Sequence, residues 1–84
     1  MAKRPPEPRL RSVFGANAKA ARLAAGLSQT QVAAQIGTSQ SYYGQIERGT
    51  VNVTLETMEA IARAFGLDPA SMLQTRPVAS RDLS

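Results

Sequence analysis

Apolar positions recur along the chain in short helical stretches punctuated by glycines. Phe14, Ala18, Ala21 and Ala25 fall at i, i+4, i+7 and i+11, one face of a helix, and Gly26 ends that helix. The alanine-rich composition of the stretch favours helix intrinsically. Ser28-Gln29-Thr30-Gln31 reads as a capping box, with Ser28 as N-cap and Gln31 at N3. The second helix turns Val32, Ala33 and Ile36 inward and stops at Gly37. A third starts near Ser39 or Gln40, capped by Thr38 or Ser39, and runs to Arg48 before Gly49. Its predicted inward residues are Tyr43 and Ile46. After the link from Thr50 to Val53, Thr54 caps a fourth helix whose apolar face is Leu55, Met58, Ile61, Ala62 and Phe65, with Gly66 at its end. Asp68-Pro69 then restarts the chain, and Met72 and Leu73 are expected to pack a last short helix on the core. The expectation is an all-α fold, a compact five-helix bundle. Helices this short gain their stability from mutual packing, since isolated ones are marginal in water.

The 84 residues leave room for one domain. Pro5, Pro6 and Pro8 block helix and sheet, so residues 1–10 are expected to form a flexible arm, 11–75 the domain, and 76–84 a flexible tail without periodicity. The net charge is +4, and its distribution tells more than its size. Lys3, Arg4, Arg9 and Arg11 stand against Glu7 alone, and Arg76 and Arg81 against Asp82, whereas the stretch between is neutral. Basic ends on a neutral domain suit a polyanionic partner, and solvated tails share the same pattern.

Cysteine and histidine are both absent. Disulfides, zinc fingers and Ser-His-Asp or Cys-His nucleophile systems are thereby excluded. There is no phosphate-cradling glycine loop and no metal-ligand cluster, so neither an enzyme nor a cofactor or metal is expected. No apolar run approaches the roughly 18 residues of a membrane span, and no apolar segment follows the basic N-terminus as in a secretory signal. A cytoplasmic location is the expectation.

The informative segment is Gln29 to Arg48, QTQVAAQIGTSQSYYGQIER. Two short helices meet at Gly37, with the small Ala33 four residues before it. Helices crossing steeply over so tight a turn need a small side chain at the crossing and a residue that reaches positive φ cheaply. If Tyr43 and Ile46 face inward, Gln40, Ser41, Gly44 and Gln45 fall on other faces. A glutamine amide can bond adenine bidentately, a serine hydroxyl discriminates little, and Gly44 leaves a shallow spot for close approach to a groove.

Residues 14–73 resemble the Cro/C1-type helix-turn-helix family, through GLSQTQVAAQIG, TSQSYYGQIERG and NVTLETMEAIARAFGL. The resemblance implies a lambda-repressor-like domain in which the second and third helices read DNA. It implies that Gln29 anchors a phosphate at a helix N-terminus, that Gln40, Ser41 and Gln45 reach base edges, and that Ser39 touches base or backbone. Asn52 matches a loop that approaches the backbone, and Arg48 joins the phosphate-contacting set. Tyr42, at the edge of the face, either bonds a phosphate or lies exposed. Arg22 and Glu47 match a partly buried ion pair. The chain departs from the family at Tyr43 and Thr38, where aliphatic residues are commoner, and a buried tyrosine needs a partner for its hydroxyl. It also lacks Arg or Lys in the third helix before Arg48, which weakens any guanine contact.

The expected function is that of a sequence-specific transcriptional regulator, most simply a repressor that blocks polymerase. Its implied partner is a palindromic double-stranded DNA operator bound by a homodimer, with RNA polymerase a further contact for an activator. Dimerisation is expected from helix five, the end of helix four or the tail. The alternatives are a controller of a restriction–modification system or an antitoxin with autoregulatory DNA binding, and a protein-interaction module that reuses the fold.

Overall fold

The computed structural model describes residues 9–75. Four α-helices, α1 (Arg9–Ala24), α2 (Gln29–Ile36), α3 (Gln40–Arg48) and α4 (Leu55–Ala64), are followed by a 3-10 segment, Pro69–Leu73. Among the described residues there is no strand, and no helix is long and apolar enough to cross a membrane.

The helix starts follow local chemistry. Ser28, Ser39 and Thr54 each accept a hydrogen bond from the backbone N–H three residues on. At Ser28 the box closes, because the Gln31 side chain accepts the Ser28 N–H at 2.8 Å. Gly37 takes φ +75°, and the Thr38 N–H beyond it returns to the Ala33 carbonyl at 2.9 Å. This left-handed cap turns the chain from α2 into α3.

Phe14, Ala18, Val32, Ala33, Tyr43, Ile46, Ile61, Ala62 and Met72 form the buried core. Every helix contributes to it, and Met72 brings in the 3-10 segment. The Asn17 side chain of α1 ties that segment down, donating to the Met72 and Gln74 carbonyls at 2.7 and 3.0 Å. Gly15 lets α1 approach α3 closely. A Cβ there would stand 2.6 Å from the Glu47 carbonyl oxygen and would also overlap the Ile46 carbonyl.

The structure corrects four expectations. The fifth element is a 3-10 segment rather than an α-helix. The Asp68 carbonyl is claimed by both the Ser71 N–H and the Ser71 hydroxyl, which favours i to i+3 closure in so short a piece. Arg9 and Leu10, assigned to the arm, belong to the first turn of α1. The rest of the expected arm and the tail 76–84 lie outside the described residues. Ala25 lies beyond the end of α1 and is exposed. Leu55, expected inward, is 77% exposed, because it is the first residue of α4 and projects beyond the packed part of that helix.

Candidate nucleic-acid interface

The core residues of α3 determine what its other faces present. Tyr43 and Ile46 are fully buried, which leaves Gln40 and Ser41 exposed and Gln45 half-buried. Ser39 is exposed at the helix mouth, its hydroxyl oxygen accepting the Tyr42 N–H at 3.1 Å. The carbonyl of Gln45 accepts from the Thr50 hydroxyl at 3.2 Å, which ties the loop after α3 to the helix. Tyr42 is half-buried, and its hydroxyl donates to the Asn52 carbonyl at 3.3 Å. That bond holds the exposed Asn52 loop beside α3.

Beneath this surface lies an ion pair. Arg22 of α1 grips Glu47 of α3 with both arms of its guanidinium, Nε to Oε2 at 2.7 Å and Nη2 to Oε1 at 3.1 Å. The side chains are only 11% and 3% exposed. The third guanidinium nitrogen donates to the Leu27 carbonyl at 3.0 Å, so the pair also pins the turn into α2. Burial pushes the Glu47 carboxyl up, but hydrogen bonds from Arg22 and Gln29 and the guanidinium charge outweigh it and hold the group below the usual carboxylate range. The bond to Glu47 in turn raises the Arg22 guanidinium.

Gln29 connects the pair to the surface. Its amide nitrogen donates to Glu47 Oε1 at 3.0 Å, and its oxygen accepts from the Gln40 amide nitrogen at 2.6 Å. The expected phosphate anchor is thus locked to an expected base reader. In the first turn of α2, Ser28 takes the Gln31 and Val32 N–H groups, and those of Gln29 and Thr30 have no partner among the described residues.

Two expectations change here. The spot at Gly44 is not an open depression. Gly44 is buried, and a Cβ there would meet Gln29 at 3.2 Å, Arg48 at 3.5 Å and Gln40 at 3.6 Å. The glycine makes room for three polar side chains to converge over α3. Arg48, though exposed, sets a guanidinium nitrogen over Gly44. The Tyr43 hydroxyl, expected to need a partner, is buried beside the Glu47 carboxylate with no hydrogen bond of good geometry among the described residues. Burial and the neighbouring Glu47 carboxylate push it far above the ordinary tyrosine range, so it stays neutral.

The structure therefore brings Gln29, Gln40, Arg48, Glu47 and Arg22 into one cluster, and Tyr42 and Asn52 into another. Ala33 and Gly37 form the turn that aims α3. The sequence reading missed Gly15 and Asn17, which dock α1 on α3 and on the 3-10 segment. An isolated glycine inside an alanine-rich helix was the available signal for the first.

Two helices at a glycine turn, with a polar α3 face outside the core, make a helix-turn-helix. A profile of the helix-turn-helix family matches residues 19–71. The chain belongs to the Cro/C1-type helix-turn-helix family. A similar member is the control protein C.BamHI of Bacillus amyloliquefaciens, 35% identical over 65 residues, which span 76% of this chain and 80% of that protein. Among solved helix-turn-helix structures, the clp gene regulator ClgR from Corynebacterium glutamicum is similar with a TM-score of 0.76 at 31% identity, over 81% of this chain and 72% of its own. The restriction-modification controller C.Esp1396I, solved as a tetramer with its natural 35 base-pair operator, is similar with a TM-score of 0.70 at 26% identity, over 79% of this chain and 87% of its own.

Proposed function

We propose that the chain is a sequence-specific DNA-binding transcriptional regulator that seats α3 in the major groove and binds a palindromic operator as a homodimer. The observation that carries this reading is the α3 surface. Gln40, Ser41 and Gln45 are presented by a helix whose opposite face is locked into the core. The free N–H groups of α2 suit a flanking phosphate, with Tyr42, Arg48 and Asn52 as further backbone contacts. Similarity to a control protein over most of both lengths favours, within this reading, a small autoregulatory controller and a repressor.

Selection from a random duplex pool, followed by titration over salt, tests the proposal. Affinity for the recovered duplex should fall steeply with salt. Gln45→Ala should cost about 1 to 3 kcal/mol on that duplex and far less on random DNA. Equal losses on both would remove Gln45 from the readers, and a pool without enrichment would sink the reading itself.

The second copy has a candidate seat. Leu10 and Leu55 are 57% and 77% exposed. They flank an apolar groove shared by Val53, Met58 and Leu73, between the start of α1 and the start of α4. Arg9 and Arg11 line one side of this strip, while Glu56 and Glu59 accompany Leu55 and Met58 on the other. A two-fold copy could set the cations of one protomer against the anions of the other. Of the expected seats, helix five, the end of helix four or the tail, this groove takes in the first through Leu73 and adds the beginning of α4. Leu55→Lys should leave a monomer at micromolar concentration by sedimentation and weaken binding to paired half-sites more than to a single one. A variant that stays dimeric would put the interface elsewhere.

A further inference from the structure

We propose that Glu47, beyond pairing with Arg22, orients the reading amide of Gln40 through Gln29 and so helps decide which base that amide accepts. The proposal rests on the DNA-reading role of α3 argued above.

Its basis is the direction of each hydrogen bond. A carboxylate has no proton to give, so whatever faces Glu47 must donate. Arg22 fills both oxygens, and Gln29 adds its amide nitrogen to Oε1 at 3.0 Å. The opposite rotation of Gln29 would set its oxygen against a charged oxygen. With the nitrogen so committed, the Gln29 oxygen faces Gln40, which must answer with its own nitrogen, at 2.6 Å. Gln40 then keeps its carbonyl oxygen and a second N–H, an acceptor beside a donor. That pair matches the amino group and N7 of adenine in the major groove.

A glutamine amide left to itself turns about a soft, nearly two-fold torsion and exchanges oxygen for nitrogen at little cost. Such a group presents two patterns and discriminates poorly. Here the buried charge at Glu47 removes one of the two. Gly44 contributes the space, since a Cβ would press on Gln29 Oε1 at 3.2 Å and touch Gln40 Nε2 at 3.6 Å just where the two amides meet. Glu47 touches no base in this arrangement. It is a positioning residue for Gln40.

The test uses the full chain and a duplex recovered from a random pool with the wild-type protein. The base pair read by Gln40 is the one whose discrimination disappears in Gln40→Ala, and Gln45→Ala identifies a second as a reference. Three variants then probe the relay. Glu47→Gln replaces an obligate acceptor with an amide that can also donate. Arg22→Met with Glu47→Leu removes both charges while keeping apolar volume, a replacement that buried pairs tolerate. Gln29→Leu cuts the relay and leaves the ion pair intact. Wild type should prefer its base at the Gln40 position by about ten-fold or more, falling below about three-fold in the variants. Discrimination at the Gln45 position should persist. Retention of the full preference at the Gln40 position by Gln29→Leu, or by a folded double variant, overturns the proposal. A wild-type protein that discriminates at no position overturns instead the DNA-reading role beneath it.

Discussion

Glu47→Ala is expected to destabilise the domain by about 3 to 5 kcal/mol, the cost of leaving one member of a buried ion pair without its partner. Arg22 would keep its charge at a site where its side chain is 11% exposed, and would lose both carboxylate bonds. Domains of this kind have only about 5 to 15 kcal/mol to lose, so the midpoint of thermal unfolding should fall by more than roughly 12 °C. The double replacement Arg22→Met with Glu47→Leu should recover most of that loss. If Glu47→Ala melts like wild type, the pair is solvated and the account of the α1–α3 contact is wrong. A pH dependence follows from the same group. The folded carboxyl is held below its ordinary value of 4.5, so the charged form is favoured by folding. Its stabilisation is fully present above that ordinary value and is lost as pH falls through the depressed folded value. Urea titrations below about pH 4.5 should show this acid limb in wild type and a shallower one in Glu47→Gln.

Gly15→Ala should also destabilise, by about 1 to 3 kcal/mol, although alanine ordinarily outranks glycine in a helix by about 1 kcal/mol. The added methyl would meet the carbonyls of Ile46 and Glu47, which are backbone and cannot swing aside as a flexible side chain would. α1 would have to lift from α3, drawing Arg22 away from Glu47. The exposed neighbour Ala16 supplies the control, because Ala16→Gly should cost about 1 kcal/mol through propensity alone. Losses in both variants, with glycine preferred at 15 and alanine at 16, separate space from propensity in denaturant melts. A stabilised Gly15→Ala would mean that the two helices cross with room to spare.

Helix boundaries were the most legible feature because caps are local. The Ser28 box, the Ser39 and Thr54 caps and the left-handed turn at Gly37 each depend on residues within a few positions of one another. The inward face of α3 followed equally well, since burying Tyr43 and Ile46 leaves Gln40 and Ser41 outside by helix geometry. The same rule misled at Leu55. Periodicity assigns a face but not whether anything covers the first residue of a helix. A start signal told less at Pro69–Leu73, where Asp68-Pro69 announced a helix but the Ser71 N–H and hydroxyl both close on the Asp68 carbonyl in the tighter winding.

Spacing, caps and a single glycine turn were therefore enough to establish a helix-turn-helix and the polar face it offers, because those signals act over one or two turns of chain. What each polar atom does on that face depends on groups far apart in sequence. Gln29 answers to Glu47 18 positions away and to Gln40 11 positions away. Gly15 matters only because α3 arrives against it. Directional bonds and close backbone contacts exist only once the helices are docked, so no pattern along the chain could have assigned them.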